Sequence, residues 1–559
     1  MKIALAQINP TVGDFTGNTG KILDYARRAA EQGAELAVFP ELAVCGYPPA
    51  DFLEKRAFVA RAEQAVGELA AWTVGPESTA ILCGTVMPAD SAEGKHVRNV
   101  AVLLRDGLVS FVQQKMLLPF YDVFDEQRYF EPAAAQALTS IGGQAFAITI
   151  CEDAWNDKDY WPQRFYSLDP VEKLMQQWNS QPAEVASSAR IILNISASPY
   201  WQEKRQIREK MLRALAQRHG AVVAMVNQVG GNDGLIFDGS SLVVGPDGQV
   251  VARAMSFDED MIYFDTNARG IAPMVALGDE VAAMWNALVL GTRDYVRKCG
   301  FTKVLVGLSG GIDSALVAAI AVEALGAENV MGVGMPSAYS STGSRDDAWL
   351  LAENLGIRLE MLPIHDVFTH YQAVLDPLFA GTPFGLAEEN LQSRIRGALL
   401  MALSNKFGAL VLTTGNKSEM STGYSTLYGD MVGALAVIGD VAKMRVYKLS
   451  AYANRNREII PRATITKPPS AELRPGQMDT DSLPPYEVLD PILEAYVERY
   501  CSAEQIAAEQ GVEVGLVRSV LKLVERSEYK RQQAAPVLKV TRKSFGMGRR
   551  FPIAVKVQV

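Results

Sequence analysis

Two short stretches of the sequence carry side chains suited to covalent chemistry. In "FAITICEDAW", residues 146–150 read as a buried strand that ends on Cys151, followed at once by Glu152 and Asp153. A cysteine at a strand end can attack a carbonyl carbon, but it does so as the thiolate, and a neighbouring base usually makes that thiolate. Histidine is the usual base. The chain has four, His96, His219, His365 and His370, and none lies in a setting that suggests the role. The second stretch, "VGLSGGIDSA" (306–315), follows an apolar strand and opens a helix, where backbone N–H groups and the helix dipole favour phosphate. It lacks the Gly-Lys-Ser/Thr ending of a Walker loop. Taken singly, a glycine-rich turn is also compatible with a purely structural role, and Cys151 with a small buried residue.

The elements that must hold these stretches fall into two halves. Up to about residue 265, short apolar strands (2–8, 35–41, 80–86, 99–107, 191–197 and 221–228) alternate with amphipathic helices (18–32, 52–72 and 203–219). Segment 240–254, "SSLVVGPDGQVVARA", adds a hairpin, which predicts mixed layers rather than a purely parallel sheet. Around 267–279 the pattern lapses into Gly, Pro and small residues. Beyond it come the strand before the glycine-rich turn, strand 329–337, helix 344–356, strand 358–364, a long helix near 387–407 and strand 409–416. This βαβ series predicts an open parallel α/β sheet. The expected domains are 1–266 and 277–559, joined by a linker at 267–276. Segment 465–485, rich in Pro and Asp, reads as a mobile loop.

Bulk properties narrow the class. A chain of 559 residues exceeds what one core supports, and 48% hydrophobic with 21% charged residues is ordinary for a folded globular protein. A net charge of −9 gives no electrostatic footprint for nucleic acid. No apolar run reaches membrane-spanning length, and the N-terminal residues lack a signal peptide's pattern, so neither membrane nor secretion is expected. Cys45, Cys83, Cys151, Cys299 and Cys501 show no CxxC spacing, which indicates neither a zinc site nor a disulfide framework and fits a reducing cytoplasm. Cys45, Cys83, Cys299 and Cys501 are expected to be structural.

The string Gly307, Leu308, Ser309, Gly310, Gly311, Ile312, Asp313, Ser314 resembles the pyrophosphate loop of the ATP-pyrophosphatase family, whose members cleave ATP to AMP and pyrophosphate while adenylating a substrate. The resemblance implies that the Ser309 and Ser314 hydroxyls and the loop amides hold pyrophosphate, and that Asp313 offers a hard oxygen to Mg²⁺. Two further strings, "FGLAEENLQSRIRG" and "LTTGNKSEMSTGY", with "PPSAELRPGQ" and "SEYKRQQ" near the end, resemble the NAD⁺ synthetases, which amidate the nicotinate carboxylate of deamido-NAD⁺. By that likeness Thr414 and Lys443 would contact ATP. Asn390, Glu419 and Lys530 would contact deamido-NAD⁺, and Glu419 would join Asp313 at the metal. Homo-oligomerisation through this half is also expected.

Such a synthetase needs ammonia, and the first half resembles the nitrilase superfamily, whose αββα sandwich carries a Glu-Lys-Cys triad without histidine. Glu41 lies in "AVFPELAVCGY", Lys115 in "QQKMLLP" and Cys151 in "ITICEDAW". The residue types suit amide hydrolysis. A carboxylate shielded from water is a better base for the thiol proton, and a fixed ammonium stabilises a developing oxyanion. Glu126, in "YDVFDEQRYF", matches the superfamily's second acid, and Tyr121, Ser198 and Lys204 match glutamine-binding positions. The combined expectation is ATP-dependent amidation of deamido-NAD⁺ with glutamine as the ammonia source. Two alternatives stay open: a related synthetase acting on another acid, and an amidase regulated by a nucleotide-binding domain.

Overall fold

The computed structural model describes residues 1–75, 77–89, 93–182, 188–266 and 275–556. The chain divides into two compact units. One comprises Met1–Asn232 and Ile236–Gly278; the other comprises Asp279–Val559 with the short stretch Asp233–Leu235. Most of the expected linker, residues 267–274, lies outside the described residues.

The first unit is built on two six-stranded sheets. One runs Asp260–Asp265, Lys2–Gln7, Leu36–Val38, Ala80–Pro88, Val97–Arg105, Leu108–Gln114. The other runs Val250–Arg253, Leu242–Val244, Val222–Asn227, Ile191–Ser196, Gln144–Ile150, Leu138–Ile141. Both are mixed: parallel pairs lie at their centres and antiparallel pairs at their edges. Leu5, Leu36, Leu82 and Leu103 of the first sheet meet Phe146, Ile148, Leu193 and Val243 of the second in one core. The second sheet's other face packs Leu174 and Trp178 of helix Pro170–Asn179 and Met211 and Leu215 of helix Lys204–His219. Ile191–Ser196 is therefore buried along its whole length, which explains its mostly apolar sequence, and its two polar residues are satisfied within: Asn194 Nδ2 donates to the Thr149 hydroxyl and the Ser196 hydroxyl donates to Asn194 Oδ1. Helices Phe15–Glu31 and Arg56–Trp72 cover the first sheet's outer face with apolar stripes at helical spacing (Ile22, Ala26, Ala29; Val59, Ala62, Val66, Leu69). The result is an αββα sandwich. The helix expected over 52–72 is two pieces, because Lys55 is extended (φ −90°, ψ 109°) between a 3₁₀ turn, Ala50–Glu54, and Arg56–Trp72.

The second unit centres on a five-stranded parallel sheet in the order Arg358–Met361, Val330–Gly334, Val304–Gly307, Leu410–Thr413, Leu435–Ala436. The chain first builds to one side of Val304–Gly307 and then returns to its other side. That reversal opens a crevice at the strand's C-terminal end, where open α/β sheets bind ligands. The sequence reading omitted Leu435–Ala436, since two residues give no periodicity. Helices Tyr486–Arg499, Ala503–Gln510 and Val514–Arg526 pack through Leu489, Leu493, Ile506, Val517 and Leu521 into a separate apolar cluster. Segment 465–485 is not free, as expected for a mobile loop, but hydrogen-bonded. The Lys467 ammonium donates to Asp347, Gln392 Nε2 donates to the Leu473 carbonyl, and Glu472 accepts from the Ser341 and Ser344 hydroxyls. Among the described residues, no helix is long and apolar enough to cross a membrane.

One glycine shapes the floor under Glu41. A Cβ on Gly84 would lie 2.2 Å from the Leu42 amide nitrogen and 2.6 Å from Glu41 Cα. The Gly84 N–H donates to the Pro40 carbonyl, and the Val44 N–H donates to the Gly84 carbonyl. Only a residue without a side chain lets turn 40–44 lie this close to the strand. Gly84→Ala is therefore expected to destabilise the protein by about 1–3 kcal/mol, the usual cost of overpacking. Urea unfolding checks this, and an unchanged midpoint would mean that the turn yields freely.

Candidate active sites

Glu41, Lys115, Glu126 and Cys151 stand on three connections of the first unit, Lys115 and Glu126 sharing the one after strand Leu108–Gln114, and its fold brings them together. Lys115 follows strand Leu108–Gln114 and is fully buried. Its Nζ donates to Glu41 Oε1 at 2.7 Å and to the two Glu126 oxygens at 2.9 and 2.8 Å. Burial alone would favour the neutral amine, but the carboxylates of Glu126 and Glu41 override it and hold Lys115 well above the usual lysine range, as an ammonium. Burial, opposed by Lys115 and reinforced by Glu41, lifts Glu126 to about 7. Cys151 follows strand Gln144–Ile150 at the start of a 3₁₀ turn, Cys151–Ala154, with a left-handed φ of 43°. Such backbone costs of order 1–3 kcal/mol in a non-glycine residue and persists where its surroundings enforce it. Burial pushes the Cys151 thiol up, the Glu41 charge adds to the rise, and Lys115 opposes it. The thiol thus rests protonated near neutrality, and its proton must leave as sulfur attacks.

Neighbouring groups fix which oxygen of Glu41 can receive that proton. Oε1 accepts from Lys115 and from Asn99 Nδ2 (2.7 Å), whereas Oε2 accepts from the Ala197 N–H (3.0 Å). A carboxylate has about four lone-pair sites. The remaining one on Oε2 is the open acceptor. Tyr47 donates its hydroxyl to Glu126 Oε1 at 2.9 Å. Sequence reading missed Asn99 and Tyr47. The only signals were a polar residue within an apolar strand and a tyrosine six residues after Glu41.

Of the residues expected to bind glutamine, Tyr121 and Lys204 reach the segment that Cys151 opens, and Ser198 follows the residue whose N–H donates to Glu41. Tyr121 donates to both oxygens of Glu152 (3.0 and 2.9 Å) and stacks on Phe165 with centroids 4.6 Å apart. Ser198 is buried next to Ala197, and its N–H donates to Asn227 Oδ1. Lys204 Nζ donates to the Pro199 carbonyl at 2.9 Å, lies 5.5 Å over the Trp155 ring, and tempers the burial-driven rise of Glu152.

In the second unit, the turn after Val304–Gly307 and the start of helix Ile312–Leu325 line a cavity of about 320 Å³. Gly307, Leu308, Ser309, Gly311, Ile312, Asp313, Ser314, Thr414, Glu419 and Lys443 all line it, as does segment 467–473. The Ser309 and Ser314 hydroxyls lie 3.3 Å apart, and the Gly311 N–H donates to Ser309 Oγ. Asp313 accepts from Asn416 Nδ2 at 2.9 Å and pairs with the Lys443 ammonium. Asn416 also caps helix Lys417–Thr422 together with Glu419, each accepting from the other's backbone N–H. Burial, then the Asp313 charge, holds Glu419 well above the usual carboxylate range against the pull of Lys443. Two mutually repelling hard carboxylates beside a phosphate-type loop suit Mg²⁺, which is usually held by one or two carboxylates and substrate phosphates. Among the described residues, no group of three or more His, Cys, Asp and Glu side chains forms a self-sufficient metal cage.

Three expected residues do not line this cavity. Gly310, at φ +79°, turns against Ser344, whose carbonyl oxygen would lie 2.1 Å from a Cβ there. Asn390 Oδ1 accepts from the Thr426 hydroxyl, and Lys530 Nζ donates to the Gly423 and Ser425 carbonyls, both at 2.7 Å. The Asn390 carbonyl oxygen and the Lys530 ammonium are engaged by segment 423–430, whose Tyr424, Ser425, Gly429 and Asp430 do line the cavity. Cys45 and Cys83 are buried, whereas Cys299 is exposed.

The carbon-nitrogen hydrolase family profile matches residues 2–172 and 176–274, and the NAD synthase profile matches residues 284–534. A glutamine-dependent NAD(+) synthetase from Synechocystis sp. is 49% identical over 99% of this chain and 98% of its own. One from Thermotoga maritima is 43% identical over 99% and 98%. The solved structure of a glutamine-dependent NAD⁺ synthetase from Acinetobacter baumannii, in complex with ADP, is 39% identical, covers 99% of this chain and 98% of its own, and superposes with a TM-score of 0.76. The chain belongs to the glutamine-dependent NAD(+) synthetases.

Proposed function

We propose that this chain makes NAD⁺ from deamido-NAD⁺, ATP and glutamine. The observation that carries the first half of this reading is the buried Lys115 ammonium, held between Glu41 and Glu126 at the turn that presents Cys151. The Cys151 proton passes to Glu41 Oε2 as sulfur attacks the side-chain amide carbon of glutamine. Lys115 faces the tetrahedral oxyanion, Glu41 returns the proton to the departing nitrogen, and ammonia leaves a glutamyl thioester. Water then cleaves the thioester to glutamate and the free thiol, with Glu126 holding Lys115. Tyr121, Ser198 and Lys204 are assigned to the α-amino and α-carboxylate end of glutamine.

In the second half-reaction the nicotinate carboxylate attacks the α-phosphorus of ATP and the bond to the β-phosphate breaks. The turn 307–314, with Ser309 and Ser314, holds the departing pyrophosphate, and Thr414 and Lys443 hold ATP. Asp313 and Glu419 would hold Mg²⁺, which when bound neutralises phosphate charge. Ammonia then attacks the adenylated carbonyl and AMP leaves. Asn390 and Lys530 would serve deamido-NAD⁺ through segment 423–430, with Glu419 in the cavity itself. Segment 465–485 excludes water from the adenylate, a role supported by its residues along the cavity wall.

The scattered spacing of the five cysteines supports a reducing cytoplasm. Self-association through the synthetase half is supported by helix His365–Phe379, which exposes Val367, Tyr371, Val374 and Leu378 at helical spacing.

Three measurements test the reading. Cys151→Ala is expected to abolish NAD⁺ formation from glutamine while leaving formation from ammonium chloride at raised pH intact. Loss of both in a folded variant would tie Cys151 to the synthetase reaction instead. Asp313→Asn is expected to cut pyrophosphate release by about 10²-fold or more while glutamine hydrolysis survives; near-normal release would remove Asp313 from the site.

The third is a pH profile. Glu126, raised to about 7 and facing Lys115, Glu41 and Tyr47, takes up a proton as pH falls through that value and loosens its hold on Lys115. Glutamine hydrolysis should therefore decline on the acid side of about 7. Glu126→Gln should remove that limb while lowering the plateau by about 10²-fold. A limb unchanged in the variant would assign it to another group.

A further inference from the structure

Asp153 is fully engaged by groups on either side of the Cys151 site. Its Oδ1 accepts from the Met116 N–H (3.1 Å) and the Leu117 N–H (2.8 Å), the two residues that follow Lys115. Its Oδ2 accepts from the Ile150 N–H (3.2 Å), the residue before Cys151, and from Gln136 Nε2 (2.8 Å). The side chain is 1% exposed and sits within the 3₁₀ turn that Cys151 opens. One carboxylate thus ties the backbone that delivers the ammonium to the backbone that delivers the thiol. We propose that Asp153 is a positioning residue that fixes the Cys151 thiol against the Lys115 ammonium and holds the left-handed conformation of Cys151. The proposal rests on Cys151 being the nucleophile.

The chemistry of the site requires a carboxylate in particular. All four partners are donors, and a carboxylate offers acceptors on both oxygens. An asparagine fills the same volume but presents an NH₂ group to one pair of donors. Gln136 could turn to meet it, because its Oε1 has no partner among the described residues. The Ile150 N–H, or the Met116 and Leu117 N–H pair, has no such freedom. The carboxylate is therefore what keeps both sides in register, and a shift of about 1 Å between nucleophile and stabilising charge is enough to cost about 10²-fold in rate.

Asp153→Asn is expected to lower kcat for glutamine hydrolysis by about 10-fold or more, with KM for glutamine within about twofold of the unchanged protein. Asp153→Ala should lower kcat further. Ammonia-fuelled NAD⁺ formation should be the same in both folded variants. Alkylation of Cys151 by iodoacetamide, followed on its own peptide, should slow in the Asn variant by a similar factor. This readout does not depend on the glutaminase assignment: an unchanged protein that hydrolyses no glutamine would overturn that assignment alone. A glutaminase kcat and an alkylation rate both unchanged in Asp153→Asn would overturn the positioning role. So would parallel loss of glutamine- and ammonia-driven synthesis in that variant, which would make Asp153 a folding residue only.

Discussion

The arrangement of the first unit turns on one buried cation. Taking an ammonium and two carboxylates out of water costs several kcal/mol per ion, and only close pairing offsets it. Lys115 achieves this with Glu41 on one side and Glu126 on the other, while Asn99 and Tyr47 add hydrogen bonds to oxygens that Lys115 already holds and the Ala197 N–H donates to the second oxygen of Glu41. Removing one member of such a group typically costs about 3–5 kcal/mol, because a charge is left buried and unpaired. The turns that supply these residues are constrained accordingly. Gly84 lets the Glu41 turn lie flat on its strand, and Asp153 joins the Lys115 and Cys151 segments.

The same constraint accounts for a cysteine site without histidine. An imidazole would be one more titrating group competing for the proton in a buried site. Here Lys115 stays an ammonium, the Cys151 thiol stays protonated until attack, and the open lone pair on Glu41 Oε2 is the available acceptor. The second unit solves a different problem. Its proposed substrates are polyanions, and the sheet's reversal beside Val304–Gly307 provides a crevice lined by backbone N–H groups, hydroxyls and Lys443, with Asp313 and Glu419 placed against one another.

Much of the fold was legible because burial writes itself into composition. Strands buried on both faces, such as Ile191–Ser196, are dominated by apolar residues, and the covering helices carry stripes at three- and four-residue spacing. The parallel sheet of the second unit followed from its βαβ rhythm. What escaped were features with no periodic signature: the extended Lys55 that splits one helix, the two-residue strand Leu435–Ala436, and the hydrogen bonds that pin segment 467–473.

The sequence by itself determined the chemical inventory. The strings around Glu41, Lys115, Cys151 and 307–314 name the reacting groups, since few residue types can serve as base, fixed cation, nucleophile or phosphate cradle. Tertiary structure decided how they are used. Glu41, Lys115 and Cys151 are 74 and 36 residues apart in the chain, so only packing of two sheets could make one buried cluster of them. It also decided that Asn390 and Lys530 act on the chain segment 423–430 rather than facing the cavity, and that Asn99, Tyr47 and Asp153 belong to the site. Hydrogen bonds between residues distant in sequence leave no local pattern. They exist only once the backbone has closed around them.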